Sequence, residues 1–282
     1  MLMMRWLIRI LVVAAIAVHA TQWLGAQETP KRRILFAFFA NGPIAGADVF
    51  PIPSGFQTDF TLTNSGQNTA HVTVRFFSRE GTELRVATLR SGGLPTPNPE
   101  DNSFDLFALS STNVSTIPQS ELLLGWAQID SSEPITALEI INRVLISPQL
   151  PGLVRPSLSE VALTSSLPTR AFTLAFEEDL FFGSGIAIAA PGLINPSTEG
   201  TLTLFDNSGK QIGLQKVTLG RDRQLLMLAA ELFPVFNPLL VPGFVRATIV
   251  GEFTGEVIVS SLRFRKSPGS LSLGANLVSS KQ

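Results

Sequence analysis

The chain contains no cysteine and no tyrosine, and its two histidines are His19 and His71. Without cysteine it has no disulfides, no thiolate nucleophiles and no cysteine metal sites, so packing alone must stabilise the fold. Once the N-terminal segment described below is removed, His71 is the one histidine that remains. A serine-histidine-acid triad or a histidine proton relay would therefore have to use it. These absences argue against most catalytic chemistry.

Charged residues are also scarce. They make up 15% of the chain, and the formal net charge is -1. Such a composition gives no general attraction to nucleic acid or acidic lipid. Residues 31–33, Lys-Arg-Arg, are the one basic cluster, and they precede a strand-like run, a position typical of the solvated start of a domain. The sequence therefore predicts no nucleic-acid partner.

The N-terminus has the three-part pattern of a secretory signal. Arg5 and Arg9 lie at the basic start, residues 10–18 are wholly apolar, and small residues follow at Ala20 and Ala26. The apolar run is much shorter than the roughly 20 residues of a membrane-spanning helix. We predict a signal peptide at residues 1–26, cleaved after Ala20 or after Ala26. The mature chain is then secreted, periplasmic or at the cell surface, with no membrane span.

Behind this segment, hydrophobic and polar residues alternate, and glycine and proline interrupt the pattern. Phe56, Phe60 and Leu62 share one parity, while Asp59 and Thr61 share the other. This alternation predicts half-buried strands. The long repeated helices that parallel sheets require are absent. The predicted fold class is all-β, with two tandem antiparallel β-sandwich modules and at most short connecting helices.

Two stretches of the mature sequence are nearly the same. VTVRFFSREG, residues 72–81, matches GTLTLFDNSG, residues 200–209, so that Phe77 corresponds to Phe205 and Gly81 to Gly209. A duplicated unit is the economical explanation. The predicted organisation is a signal peptide at 1–26, module 1 at 31–147, a proline-rich linker at 148–168, module 2 at 169–266, and a tail or edge strand at 267–282. A short strand at 161–163 within the linker is an open alternative.

Three further predictions concern individual elements. Residues 124–129 and 135–141 are expected as two strands separated by Asp-Ser-Ser-Glu-Pro, and residues 244–250 and 256–265 as the equivalent pair in the second module. Leucines between Asp222 and Pro234 recur at spacings of three and four, which predicts a short connecting helix there.

Three phrases resemble recurring modules of large exported bacterial proteins. They are GFQTDFTLTN at residues 55–64, GWAQIDSSEPI at 125–135 and GIAIA at 185–189. The resemblance covers most of both halves and implies immunoglobulin-like sandwiches of unassigned role. Its matching positions are strands and turns, so it supplies no catalytic residue.

The remaining chemical groups favour structural roles. The strand parity of His71 matches that of Thr73 and Arg75, which predicts an outward-facing residue. The acidic clusters are Glu177-Glu178-Asp179 and Glu100-Asp101 with Asp105. Adjacent acids on a strand point to opposite sides and on a loop face water, so we predict solvated side chains rather than a glycosidase pair or a calcium site.

Two more motifs have a functional alternative. Asp206-Asn207-Ser208-Gly209 resembles the start of a calcium loop, but Ser78-Arg79-Glu80-Gly81 keeps the glycine and lacks the first acid, so a turn is predicted. The phenylalanines at 36, 38, 39, 181 and 182 could form an aromatic surface for sugars or a partner. Core or inter-sheet packing is the favoured prediction for them.

We therefore expect a non-enzymatic exported protein with a structural, adhesive or binding role in the cell envelope or outside the cell. No catalytic, cofactor-binding or metal-binding residue is predicted, and no cofactor. The expected partner is a protein or glycan of the cell envelope. A carbohydrate-binding module and a carboxylate-based hydrolase are the alternatives. An exposed aromatic row would favour the first, and two acids converging in one cleft would favour the second.

Overall fold

The alternating segments form antiparallel strands in the computed structural model of the protein. The structure describes residues 31–43, 54–91, 102–145, 157–178, 182–192, 195–233, 245–265, 273–275 and 278–280. The predicted signal peptide lies outside these residues. The fold is all-β, as predicted, and its strands form two antiparallel sheets, one in each half of the chain.

The first half contains nine of the described strands. They are β1 Lys31–Pro43, β2 Ser54–Asn64, β3 Ala70–Ser78, β4 Glu83–Leu84, β5 Thr88–Arg90, β6 Ser103–Leu106, β7 Ser110–Thr116, β8 Leu123–Leu145 and β9 Ser157–Thr164. The second half contains β10 Thr169–Glu178, β11 Phe182–Ala189, β12 Ser197–Asp206, β13 Gln211–Gly220, β14 Gln224–Leu228, helix α1 Ala229–Leu232, β15 Val245–Arg265, β16 Leu273–Ala275 and β17 Val278–Ser280.

Each sheet is curled through its longest strand into two facing layers. In the first half, the start of β8 lies between β3 and β1 in layer A, whose outer edge is formed by β4 and β6 on β3. The rest of β8 lies between β9 and β2 in layer B, which continues through β7 to β5. One long strand thus ties the two layers together.

The second half repeats this arrangement. The start of β15 lies between β12 and β10 in layer C, with β13 and β17 at the two edges. The rest of β15 lies between β11 and β16 in layer D, and β14 pairs with β11. The strands common to the two halves therefore follow the same order, as a duplicated unit requires, while β5 on β7 and β17 on β10 have no counterpart.

The two longest strands, β8 and β15, have a register shift at corresponding positions. In β1 and β8, Lys31 pairs with Ile135 and Arg33 with Asp130, leaving extra residues on β8. In β10 and β15, Thr169 pairs with Val257 and Ala171 with Glu252. The expected pairs of separate strands at 124–141 and 244–265 were therefore wrong. Each is one continuous strand, because the predicted turn is a bulge at which the strand passes from one layer to the next.

Three apolar clusters fill the molecule. One lies between layers A and B and includes Phe36, Phe60 and Phe76; another lies between C and D and includes Phe172 and Ile188. The third joins the two halves. It combines Leu35, Phe38 and Trp126 of layer A with Ala187, Ala189, Ile258 and Leu262 of layer D, and with residues of β2, β8 and β9.

The third cluster explains why some strands are apolar at every position. In β11, Ile186 and Ile188 contact the C–D cluster, while Ala187 and Ala189 contact the third cluster. A strand covered on both faces loses the alternation of a half-buried strand. Layers A and D are therefore interior layers, and B and C are the outer ones.

The short connecting helix predicted between Asp222 and Pro234 is present as α1, but the leucines before it belong to β14, a strand that is covered on both faces. Leu225 and Met227 of β14 pack against the C–D cluster, and Leu226 packs against the third cluster. Apolar residues on both faces of a strand produce spacings of three and four by chance. The helix is limited to α1, four residues long.

Segments at the predicted boundaries also contain strands. Residues 148–168, expected as a linker, contain β9, which pairs with β8. Residues 267–282, expected as a tail or edge strand, contain β16 on β15 and β17 on the edge of β10. The described residues from Lys31 onward belong to one compact unit. No helix within the described ranges is long and apolar enough to cross a membrane.

Candidate functional site

His71 lies on β3, and its side chain is exposed, as its strand parity predicts. Its Nδ1 lies 3.1 Å from Oδ1 of Asp105 on β6, and both side chains are more than half exposed to solvent. The hydroxyl of Ser132 accepts a hydrogen bond from the His71 backbone N–H at 2.9 Å rather than from the imidazole. The three groups therefore do not form the relay of a catalytic triad, in which the imidazole bonds both the acid and the hydroxyl.

The acidic clusters are only partly within the described structure. Asp105 belongs to the exposed pair with His71, while Glu100 and Asp101 lie outside the described residues. Glu177 and Glu178 end β10, and Asp179 lies outside the described part. Among the described residues, no group of three His, Asp or Glu side chains is arranged to hold a metal ion.

The tetrapeptide from Asp206 to Gly209 is a hairpin turn, as predicted. Oδ1 of Asp206 accepts hydrogen bonds from the backbone N–H groups of Ser208 and Lys210. In the first half, the hydroxyl of Ser78 accepts from the N–H groups of Glu80 and Thr82 in the same way. The acceptor oxygen is thus kept in both copies. In each turn a glycine, Gly81 or Gly209, has a positive φ.

The described members of the phenylalanine set are in the core. Phe36, Phe38 and Phe39 are buried, as the packing prediction expected. Phe181 lies outside the described residues, and of Phe182 only the backbone is described. Phe107, which the sequence analysis did not single out, is instead an exposed ring. The sequence feature that could have indicated this exposure is its position in a short Phe-Ala-Leu-Ser segment between two strands.

Polar bonds reinforce the junction between the halves. Gln224 lies at the start of β14, and its Nε2 donates to the carbonyls of Ala37 at 2.6 Å and Gly125 at 2.8 Å. The backbone N–H of Gln224 donates to the carbonyl of Arg79 at 2.9 Å. Nε1 of Trp126 donates to the carbonyl of Asp222 at 2.8 Å. The turn before β14 and the first residue of β14 are therefore held by β1, by β8 and by the turn that follows β3.

A shallow depression lies at one end of the first sandwich. Its volume is about 270 Å³, and it is lined by Arg90, Ser91, Asp105, Leu106, Phe107, Ser110, Ser111 and Thr112. These residues come from β5, β6, β7 and the connection between β6 and β7. Phe107 and Leu109 in that connection are each 69% exposed, and the φ of Leu109 is +53°. A leucine in the left-handed region is uncommon and marks a constrained backbone.

The bulge of β8 carries a charged cluster. Asp130 accepts hydrogen bonds from Arg75, from Gln128 Nε2 at 2.6 Å and from Arg33 Nε at 2.9 Å. Burial by itself raises the pKa of Asp130, but these three donors outweigh it and hold the pKa below its ordinary value. The corresponding position of the second half is Glu252, opposite Ala171 and Thr201, so no arginine faces it across the strands.

One carboxylate is buried inside the first sandwich. Glu139 lies on β8 between Phe60 of β2 and Leu163 of β9, on the same strand face as Ala137 and Ile141. Both of its carboxylate oxygens are buried, and neither has a hydrogen-bond partner among the described residues. Burial raises the pKa of Glu139 well above its ordinary value.

Comparisons with known proteins give no family. No protein-family model matches the chain. No curated protein matches it either. The solved structures that resemble it include that of infectious bursal disease virus Gx strain, at 11% identity over 89% of this chain and 76% of that chain, with a TM-score of 0.18. The Gt strain of the same virus matches at 11% identity over 90% and 73%, with a TM-score of 0.16. At such TM-scores neither likeness informs the fold or function of this chain.

Proposed function

We propose that this chain is a non-enzymatic exported protein with a structural, adhesive or binding role in the cell envelope or the extracellular space. The observation that carries the proposal is the third apolar cluster. This cluster joins the two sandwiches through Trp126, Leu35 and the alanines of β11. The outward faces of layers B and C remain exposed to solvent and are polar. A rigid body with solvated faces and connections at its ends is a common platform for recognition.

The polar outer face of layer B supports this role. Thr61 donates to Oδ1 of Asn113 at 2.9 Å, and the hydroxyls of Thr63 and Ser111 lie 3.1 Å apart. The equivalent positions in layer D are the buried Ala187, Ala189 and Gln224 and the partly buried Leu226. The sequence thus distinguishes layer D, which packs against the other half, from layer B, whose outer face contacts water. A polar outer layer limits further layer-on-layer packing, as the capping repeat of a repeat protein does.

Export is tested by expressing the full chain in a bacterial host and separating cytoplasm, envelope and medium. We expect a mature protein, shortened by cleavage after Ala20 or Ala26, in the envelope or the medium. A matched variant, Val13→Arg, interrupts the apolar run and should leave the uncleaved chain in the cytoplasm. Uncleaved wild-type protein confined to the cytoplasm would contradict the proposal.

The binding role is tested with the purified mature protein and isolated envelopes. We expect saturable retention that unlabelled protein displaces. Protease treatment of the envelopes should abolish retention if the partner is a protein, and glycan oxidation with periodate should abolish it if the partner is a glycan. Release of soluble sugar or peptide fragments from the envelopes by the protein would instead indicate a hydrolase.

A carbohydrate-binding role is the second candidate, and one observation favours it. Phe107 presents an exposed aromatic ring in a depression whose lining also includes charged and hydroxyl side chains. Among the described residues, Phe107 is the only aromatic side chain that is mostly exposed. This is a single ring rather than a row, which suits one sugar unit rather than an extended chain.

A further inference from the structure

We propose that the depression beside Phe107 is a binding site for one sugar ring, most simply a terminal pyranose of a glycan. This inference rests on the proposed binding role and assigns it a place and a ligand class. A volume of about 270 Å³ lies below the usual range for drug-sized ligands and suits a single small polar molecule.

The lining has the chemistry that a pyranose requires. A pyranose presents one or both ring faces as C–H groups and its hydroxyls around the edge. The exposed ring of Phe107 offers a flat apolar surface for such a face. Asp105 and Thr112 offer oxygen atoms for hydroxyls at the edge, and Arg90 offers donors.

The polar side chains around the depression are held in place before any ligand arrives. The guanidinium carbon of Arg90 lies 4.9 Å from the ring centroid of Phe104. The hydroxyls of Ser91 and Thr112 lie 3.2 Å apart, and the hydroxyl of Ser91 accepts from the N–H of Asn113 at 3.1 Å. Asp105 is held by His71. Groups fixed in this way lose little conformational freedom on binding.

The connection that carries Phe107 is also constrained. The hydroxyl of Ser110 donates to the carbonyl of Phe107 at 2.6 Å, and the N–H of Leu109 donates to the carbonyl of Gly66 at 3.2 Å. Leu109 has a positive φ. A strained backbone that keeps an apolar ring in water contributes nothing evident to folding, and such features concentrate at binding sites.

The experiment measures sugar binding by ligand-observed saturation-transfer NMR with the full mature protein. The probes are glucose, galactose, mannose and N-acetylglucosamine. We expect saturation transfer to at least one of them, strongest at the ring protons of the face that stacks on Phe107. Absence of transfer to all four sugars would overturn the proposal.

Three variants at one position separate stacking from other contacts. Phe107→Ala should weaken binding at least tenfold, Phe107→Trp should keep or strengthen it, and Phe107→Leu should behave like the alanine variant. Asp105→Asn should weaken binding through the lost charge-assisted hydrogen bond. Leu214→Ala, at an exposed leucine of β13, is the control and should bind as the wild type does.

Two results would overturn the site specifically. Unchanged binding in Phe107→Ala would place the sugar elsewhere, and full binding in Phe107→Leu would indicate apolar contact of the kind a protein partner makes. Envelope retention measured on the same variants distinguishes failure of the sugar site from failure of the proposed binding role. Retention that persists without sugar binding refutes the sugar site but preserves the scaffold role.

Discussion

Nε1 of Trp126 in the first half donates a hydrogen bond of 2.8 Å to the backbone carbonyl of Asp222 in the second half. The indole also stacks on Phe77, with ring centroids 4.1 Å apart. Asp222 itself has a φ of +60°, and its Oδ1 accepts from the N–H of Gly192 at 2.6 Å. A constrained turn of one half is thus fixed against a buried ring of the other.

This relationship predicts that the halves unfold together. Trp126→Phe keeps an aromatic ring but leaves the Asp222 carbonyl without its donor, so the free energy of unfolding should fall by about 1–3 kcal/mol. Urea denaturation followed by circular dichroism measures it. We expect one transition in both proteins. Two well-separated transitions in the wild type would mean that the third cluster does not couple the sandwiches.

The duplicated hairpin turn supplies a matched pair of glycines. Gly81 and Gly209 both have positive φ, so alanine is strained at either position by about 1–2 kcal/mol. A Cβ on Gly81 would also lie 3.0 Å from the backbone of Asp222, whereas a Cβ on Gly209 meets nothing within 4 Å. Gly81→Ala should therefore be more destabilising than Gly209→Ala in thermal or urea unfolding. Equal losses would show that the first turn does not press on the second half.

The contrast between inner and outer layers gives a second matched pair. Leu226 of β14 packs against the third cluster, and its counterpart by strand register is Asn113 of β7, on the outer face of layer B. Leu226→Asn should lower the free energy of unfolding by about 1–2 kcal/mol, because the apolar contact of a partly buried leucine is lost and an amide is partly buried in its place. Asn113→Leu should change it by no more than about 0.5 kcal/mol. A similar loss in both variants would refute the assignment of B as an outer layer.

Local sequence pattern was sufficient for half-buried strands such as β2, for the repeat and for the hairpin turn. Phe56, Phe60 and Leu62 alternate because β2 has one face on the core, and Gly81 and Gly209 recur because the turn needs a positive φ. The third cluster was not predictable, because it depends on which layers meet. Leu225 and Leu226 face different clusters on opposite sides of β14, and only the tertiary arrangement distinguishes that pattern from a helix.

The functional surfaces were harder to predict than the fold. Runs of phenylalanine such as Phe38-Phe39 mark a strand buried on both faces, in agreement with the favoured packing prediction. Phe107 is isolated in sequence and becomes notable only through its exposure beside Asp105 and Arg90. Glu139 had a signal, since it shares strand parity with Ala137 and Ile141, but parity alone does not reveal that its oxygens find no partner.

The buried carboxyl of Glu139 predicts an unusual dependence of stability on pH. Its folded pKa is raised above the unfolded value, so the neutral form is favoured in the folded state. Its contribution is fully retained below the unfolded pKa, near 4.3. As the pH rises from there to the folded pKa, the unfolded chain loses the proton while the folded chain keeps it. The free energy of unfolding therefore falls, by up to about 1.4 kcal/mol per pH unit from this group.

Glu139→Gln removes this titration and keeps the size of the side chain. We expect the variant to gain stability relative to the wild type as the pH rises from 4 to 8, measured by urea denaturation across that range. The comparison cancels the other groups that titrate there, among them Asp59, whose pKa is also raised chiefly by burial, and Asp130, whose pKa is lowered. A constant difference between the two proteins at every pH would show that Glu139 is solvated or paired in the folded state.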